Sequence, residues 1–302
     1  MSSSGMSIAE HFDELRIRII HIVICIAIIT IFSMSFSMKS AILPISVPAQ
    51  DGSPQENLKV YYPYPDPLNN VALQLTSYMK DTLLPAGVKL IQTAPGQVFF
   101  AQVHISLLIG LICSLPIVIK EIFGFISPAF DLSKNKDDSE TKDEDKDGMT
   151  KDKNGKKAFS RFKLFKVISP IFLLFLLGVM FSYMLVIPFT LNFLYKYGEA
   201  IGAETFLTVN DFITFVLQFV LGFGIAFQLP VIMYMLSLSG ATDSKFWQRN
   251  FRYAIIIITV FGAIITPDGS GVTMWFIALP MIALYAIGIL AIRRREDRVI
   301  TV

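Results

Sequence analysis

Charge, cysteine and histidine are all scarce in this 302-residue chain: 17% of its residues are charged, two are cysteine and three are histidine. Both cysteines, Cys25 and Cys113, lie inside apolar runs, which argues against a disulfide framework or a metal cluster. His21 and His104 also fall in apolar runs, and no acid lies well inside any of those runs. The parts of an intramembrane hydrolase, a nucleophile with its base or a metal-activated water, are therefore missing. Ser270 stands between glycines as a nucleophile might, but no base partner is evident. These absences speak against an enzyme, and no cofactor is implied. The N-terminus lacks a basic n-region and a small-residue cleavage site, and its apolar run exceeds the roughly 7 to 15 residues of a signal-peptide core, so it is expected to stay as the first span.

What the chain has in abundance is apolar length. It is 53% hydrophobic with 26 phenylalanines, and its mean hydropathy is +0.58, too apolar for a soluble domain of this size. The expected fold is an all-α integral membrane protein of six spans: Ile17–Met38, about Val98–Ile119, Leu164 to about Phe189, Phe212–Leu238, Tyr253–Ile265 and Val272–Ile292. Asn210 or Asp211 is a candidate cap for span four, Gly240 ends it, and Thr242 or Asp243 is a candidate cap for the helix that follows. The fifth apolar run gives only about 20 Å of helix against a hydrocarbon core of about 30 Å. Spans five and six are expected to be short, with the hairpin Thr266–Gly271 and its Asp268 in a depression of the bilayer. Most Lys and Arg residues fall in the N-terminus, the 120–166 segment, the 239–252 loop and the tail, which predicts that both termini face the cytoplasm and that the long first loop is extracytoplasmic.

Three regions follow from this pattern. Residues 1–130 carry an N-terminal segment, spans one and two and the first loop. In that loop the Pro- and Tyr-rich stretch Tyr61–Pro67 favours an extended or turning path, while Leu68, Val71, Ala72, Leu75, Met79 and Leu83 recur at helical spacing. Those residues suit either a helix on the membrane surface or packing against the spans. Residues 131–157 form a Lys-, Asp- and Glu-dense tract expected to be disordered. Residues 158–302 hold spans three to six and a basic cytoplasmic tail, the whole forming one membrane domain.

The most informative stretch is Ser7–Arg18, which puts Glu10, Asp13 and Glu14 just before the first span. Ser7 with Glu10 is a capping-box pattern, so a helix is expected to start there and run into the apolar block. On that helix His11, Glu14 and Arg18 share one face, and Asp13 and Arg16 pair on another. The acids fit either ordinary surface ion pairs or a receptor for something cationic.

Two other readings weigh less. Asp143-x-Asp145-x-Asp147-Gly148 copies the opening of a calcium loop, but Asn154 stands where the bidentate Glu is needed and no amphipathic helices flank it. A small-molecule or ion transporter is the alternative function, yet the midplane offers only Gln218 and Gln228 and no ionisable carrier.

Six short segments, in order, resemble the TatC family, the multispanning receptor of the twin-arginine protein translocase. They are His11–Arg18; Thr93–Phe100, with Pro95; Phe125-Ile126-Ser127-Pro128; Phe181-Ser182-Tyr183 through Pro188; Phe227-Gln228-Leu229-Pro230; and Thr266-Pro267-Asp268. The resemblance implies a receptor that binds twin-arginine signal peptides of folded cargo at the cytoplasmic face. It also implies assembly with small single-span subunits of the TatA/TatB type, self-association, the lipid bilayer as medium, the proton-motive force as drive and no nucleic acid. It assigns Glu14, Arg16, Phe125 and Pro128 to the signal-peptide site, and Pro95, Pro188, Gln228 and Asp268 to partner contacts or structure. The chain departs from the family pattern twice. Span four carries Gln228 where a glutamate is usual. The family's second glutamate after F-x-x-P meets Ser160 here, beside Arg161. If two arginines are to be bound through charge-assisted pairs, the second acid is expected to be Asp131, with Glu121 or an acid of the charged tract as alternatives.

Overall fold

The computed structural model describes residues 8–43, 58–134, 169–238, 240–266 and 271–300. Ser7, Ser160, Asp268 and residues 135–157 of the charged tract, with the calcium-loop look-alike, lie outside the described residues. The helices are α1 (Ile8–Ser35), α2 (Val71–Leu83), α3 (Gln97–Lys134), α4 (Ser169–Ala200), α5 (Val209–Ala226), α6 (Leu229–Leu238), α7 (Ser244–Arg249), α8 (Phe251–Ile265) and α9 (Gly271–Ile300). Among the described residues, five segments are long and apolar enough to cross a membrane: Phe12–Ser35, Gln97–Glu121, Ser169–Ala200, Val209–Leu238 and Gly271–Arg298. The shorter apolar helix α8 has 15 residues, about 22 Å. Large apolar side chains on α1, among them Ile17, Ile20, Val23, Ile24, Ile28 and Ile31, are exposed. At about 25 cal/mol per Å² such a surface is costly in water and costs nothing in lipid.

By its contacts the chain divides into two compact units, with boundaries inside α1, α3 and α5. The first comprises Met1–Val23, Leu115–Ala203 and Phe215–Val302. In this unit α4 meets α5 at Gly178, where an added Cβ would lie 2.7 Å from the Phe223 carbonyl oxygen. The close approach brings Phe181 within 5.7 Å of Phe223 and 5.6 Å of Phe227, centroid to centroid. Such packing, rather than the hydrophobic effect, holds helices together in lipid.

Two expected prolines explain local departures from the α-helix. Pro188 has no N–H and its ring crowds the preceding turn, and Ser182–Val186 widens there into a π turn in which the Ile187 N–H reaches the Ser182 carbonyl. Pro230 acts likewise on the fourth apolar segment, which breaks between Ala226 and Leu229. At that break Gln228 N–H reaches only back to Ile225 O at 2.9 Å.

The second unit comprises Ile24–Ser114 and Glu204–Thr214. Here the chain is not wholly helical. Helix α1 stops at Ser35, and Phe36–Leu43 leaves the expected end of span one as strand β1, antiparallel to β2 (Leu58–Pro65), with Phe36 opposite Pro65. The Pro-rich stretch is thus extended, as its composition required, and Pro63 and Pro65, two apart, place their missing donors on the same unpaired edge. Helix α2 is capped by Asn70, whose Oδ1 accepts from Leu73 N at 2.8 Å. It buries Ala72, Met79 and Leu83 while Leu68 is 89% exposed. Gln74 ties it to β1 by donating to Ser37 Oγ at 2.9 Å. Its buried face is thus used for packing, and Leu68 falls outside the helix.

Pro95 and Gly96, the latter at φ +88, form the turn that starts α3. A short parallel pair joins β3 (Lys89–Ile91) to β4 (Phe206–Thr208). Thr208, rather than Asn210 or Asp211, caps α5, its Oγ1 accepting from Asp211 N at 3.1 Å. The hydroxyl directly before the first helical residue is the better-placed acceptor.

The sixth span is not short. Its apolar run lies in a helix of 30 residues, because Arg293, Arg294, Arg295 and Glu296 are good helix formers and no Gly or Pro stops the chain after Ile292. Helix α3 likewise continues through Phe125, Pro128 and Asp131 to Lys134, so the first four residues of the charged tract are helical.

Candidate functional site

The acid cluster is built within the first unit from the start of α1 and the far end of α3's apolar stretch. Arg18 directly precedes α1's long apolar run, and Glu121 closes the apolar segment of α3. Both polar residues thus stand at the edges of apolar runs, where a charged head reaches water while its stem lies against apolar neighbours.

The guanidinium of Arg18 bridges the two helices. Its Nη2 donates to Glu14 Oε1 at 2.5 Å, one helical turn back. Its Nη1 donates to the main-chain oxygen of Glu121 at 3.0 Å and lies 3.5 Å from Glu121 Oε2. The side chains of Arg18, Glu14 and Glu121 are 22%, 31% and 16% exposed, so the cluster is half-buried and its attractions are screened less than at a bare surface. Among the described residues, Glu14 Oε2 and Glu121 Oε1 receive no hydrogen bond. Two carboxylates therefore share one guanidinium, with one oxygen of each left over.

The other expected site residues spread along the same elements. Asp13 and Arg16 are exposed on α1, and they form no ion pair with each other. Solvated charges at i, i+3 gain too little from pairing to hold one geometry. Phe125, Pro128 and Asp131 follow Glu121 on α3 by about 6, 10 and 15 Å of helical rise. Pro188, Pro95 and Gln228 sit at the π turn, the turn before α3 and the α5–α6 break. Gln228 Nε2 donates to Ile171 O at 3.2 Å, while its Oε1 is buried without a partner among the described residues. It is a hydrogen-bonding residue between α4 and the broken segment.

A second polar cluster escaped the sequence. Glu296, in the supposed basic tail, accepts from Ser244 N at 2.9 Å through Oε1 and from Ser244 Oγ through Oε2. Asp243 Oδ1 caps the same short helix, accepting from Phe246 N at 2.8 Å. Tyr285 on α9 adds a bond to Trp247 O at 2.9 Å. Beside it an open apolar cavity of about 510 Å³ is lined by Ile225, Leu229, Met233, Trp247, Ile257 and others. Only the capping preference of Asp243 was readable in the sequence. The Glu10–Ser7 pattern could not have pointed to Glu296, 52 residues from its partner.

Comparison with known proteins agrees with this architecture. The family described as Sec-independent protein translocase protein (TatC) matches residues 10–280. The chain is 44% identical over 296 residues to the Sec-independent protein translocase protein TatC of Cenarchaeum symbiosum (strain A), covering 98% of this chain and 97% of that one. It is 33% identical over 215 residues to the protein of the same name from Aquifex aeolicus (strain VF5), covering 70% and 78%. A crystal structure of a twin-arginine translocase receptor, TatC, superposes with a TM-score of 0.64 at 26% identity, covering 93% of this chain and 97% of that one. With the matched region spanning α1 to α9, the chain belongs to the TatC family: it is a multispanning membrane component of protein transport and not an enzyme.

Proposed function

We propose that this chain is the receptor subunit of a twin-arginine translocase and that it binds the paired arginines of signal peptides between Glu14 on α1 and Glu121 on α3. The observation that carries the reading is the Arg18 guanidinium held between those two carboxylates. A site that grips one guanidinium through separate helices has the spacing and charge to grip others. Glu121 is favoured over Asp131 as the second acid because it shares Arg18 with Glu14, whereas Asp131 is nearly three turns of helix further along. Arg16, Phe125 and Pro128 flank the site, and the cargo peptide runs past them. Both termini face the cytoplasm, which sets this site on the side where folded cargo arrives. Single-span subunits bind the later spans, and the proton-motive force drives the assembled complex. Membership of a protein-transport family removes the small-molecule transporter reading.

The test is binding of a labelled Arg-Arg signal peptide to the full chain in lipid nanodiscs, with a Lys-Lys peptide as control. Glu14→Gln and Glu121→Gln are each expected to weaken Arg-Arg binding by roughly ten- to a hundredfold, the loss of a charge-assisted bond worth about 1.5 to 3 kcal/mol. Unchanged affinity in both folded variants would refute the site. Loss on Asp131→Lys with Glu121→Gln unaffected would return the second acid to Asp131.

A further inference from the structure

We propose that Arg18 is a resident stand-in for a signal arginine: it occupies the site when no cargo is present, and a signal peptide has to displace it. The inference rests on the receptor reading above and concerns how that site is regulated.

Three features of the cluster point the same way. The guanidinium spends its two terminal nitrogens on two different acids and on the Glu121 main-chain oxygen, so it meets the site from both sides, as a ligand would. Its hold is uneven: Glu14 accepts a hydrogen bond from Nη2, whereas the Glu121 carboxylate is 3.5 Å away and accepts none from it. A permanently structural bridge would be expected to close both contacts, and this one leaves an acceptor oxygen on each acid open among the described residues. Finally, Arg18 is 22% exposed and carried on a long flexible stem, so it has somewhere to go when another cation takes its place.

The thermodynamic consequence is specific. An internal occupant reduces the apparent affinity of every competing ligand by the same factor, the fraction of time the site stands open. Arg18 therefore sets a threshold and leaves the intrinsic preference for arginine over lysine unchanged. A strong Arg-Arg signal clears the threshold at working concentrations, while a weaker cationic segment falls below it. The bland alternatives predict otherwise. If Arg18 merely positions Glu14 and Glu121, its loss weakens binding. If it acts only as a positive charge that repels cationic peptides, a lysine in its place preserves the effect in full.

The experiment measures Arg-Arg and Lys-Lys peptide affinities for the full chain in nanodiscs, comparing wild type with Arg18→Gln, Arg18→Lys and Glu14→Gln. Arg18→Gln is expected to tighten both peptides by about the same factor, on the order of tenfold, and Arg18→Lys by a smaller common factor, because an ammonium lacks the fork that spans two acids. Weaker binding in Arg18→Gln, or Arg18→Lys indistinguishable from wild type, overturns the proposal. A change in the Arg-Arg to Lys-Lys ratio without a common tightening also overturns it. If Arg18→Gln does not fold, Arg18→Lys decides alone by the same criterion. The receptor reading fails separately, and is recognised by Glu14→Gln and wild type binding Arg-Arg peptide equally. Loss of binding in Glu14→Gln beside unaltered Arg18 variants refutes only the stand-in.

Discussion

The two polar clusters of the first unit use the same kind of residue for opposite ends. At Ser244 the carboxylate of Glu296 spends both oxygens, one on a backbone N–H and one on a hydroxyl, at a helix start that needs acceptors. At Arg18 the carboxylates of Glu14 and Glu121 share one guanidinium, and among the described residues each keeps an oxygen without a hydrogen bond. A fully used acid belongs to the fold, because no ligand can improve on its partners. An acid with an oxygen to spare can still take a further partner. The difference lies in the partner: a backbone N–H cannot leave its helix, and an arginine side chain can swing away.

This contrast gives graded expectations. The largest is for Glu296→Ala, which removes two bonds to the buried Ser244; it is expected to lower unfolding stability by about 3 kcal/mol in a detergent melt while leaving signal-peptide affinity per folded molecule unchanged. Lost affinity with an unchanged melt would reverse the assignment of the two clusters. Next, Glu14→Gln and Glu121→Gln should show the mirror image: peptide affinity falls as stated above, and the melt moves little, because a half-exposed ion pair contributes at most about 1 kcal/mol to stability. The smallest is Asp243→Ala, the loss of one helix cap beside Glu296. It is expected to cost about 1 kcal/mol of stability and no affinity.

Much of the fold could be read from apolar run length and helix punctuation. The run from Ile19 onward, the short segment ending at Ile265 and the Asp243 cap follow from residue chemistry acting over a turn or two of chain, whereas spans three and four are expected unbroken and the structure interrupts both, before Pro188 and before Pro230. The errors arose where local signals are degenerate. Phe36–Leu43 is as apolar as the helix before it, and only its pairing with Leu58–Pro65 makes it a strand. The short sixth span is expected from the resemblance, whereas its apolar run Val272–Ile292 is itself long enough to cross and its helix runs on to Ile300. Within the site, the Glu14–Arg18 spacing was visible as a face of α1, whereas Glu121 meets Arg18 across 103 residues of chain. No periodicity reports such a contact. The family resemblance supplied Glu14 and left the second acid open, because the charged tract interrupts the motif that would have named it.

The most direct test of the central claim is a double-mutant cycle across the proposed contact: Glu121→Gln in the protein against Arg-to-Lys replacement in the signal peptide, with affinity as the readout. If Glu121 grips a signal arginine, the lysine replacement costs markedly less once Glu121 is gone, with a coupling of about 1 to 3 kcal/mol. If the two changes add independently, Glu121 does not touch the signal and the two-acid account of this receptor is wrong.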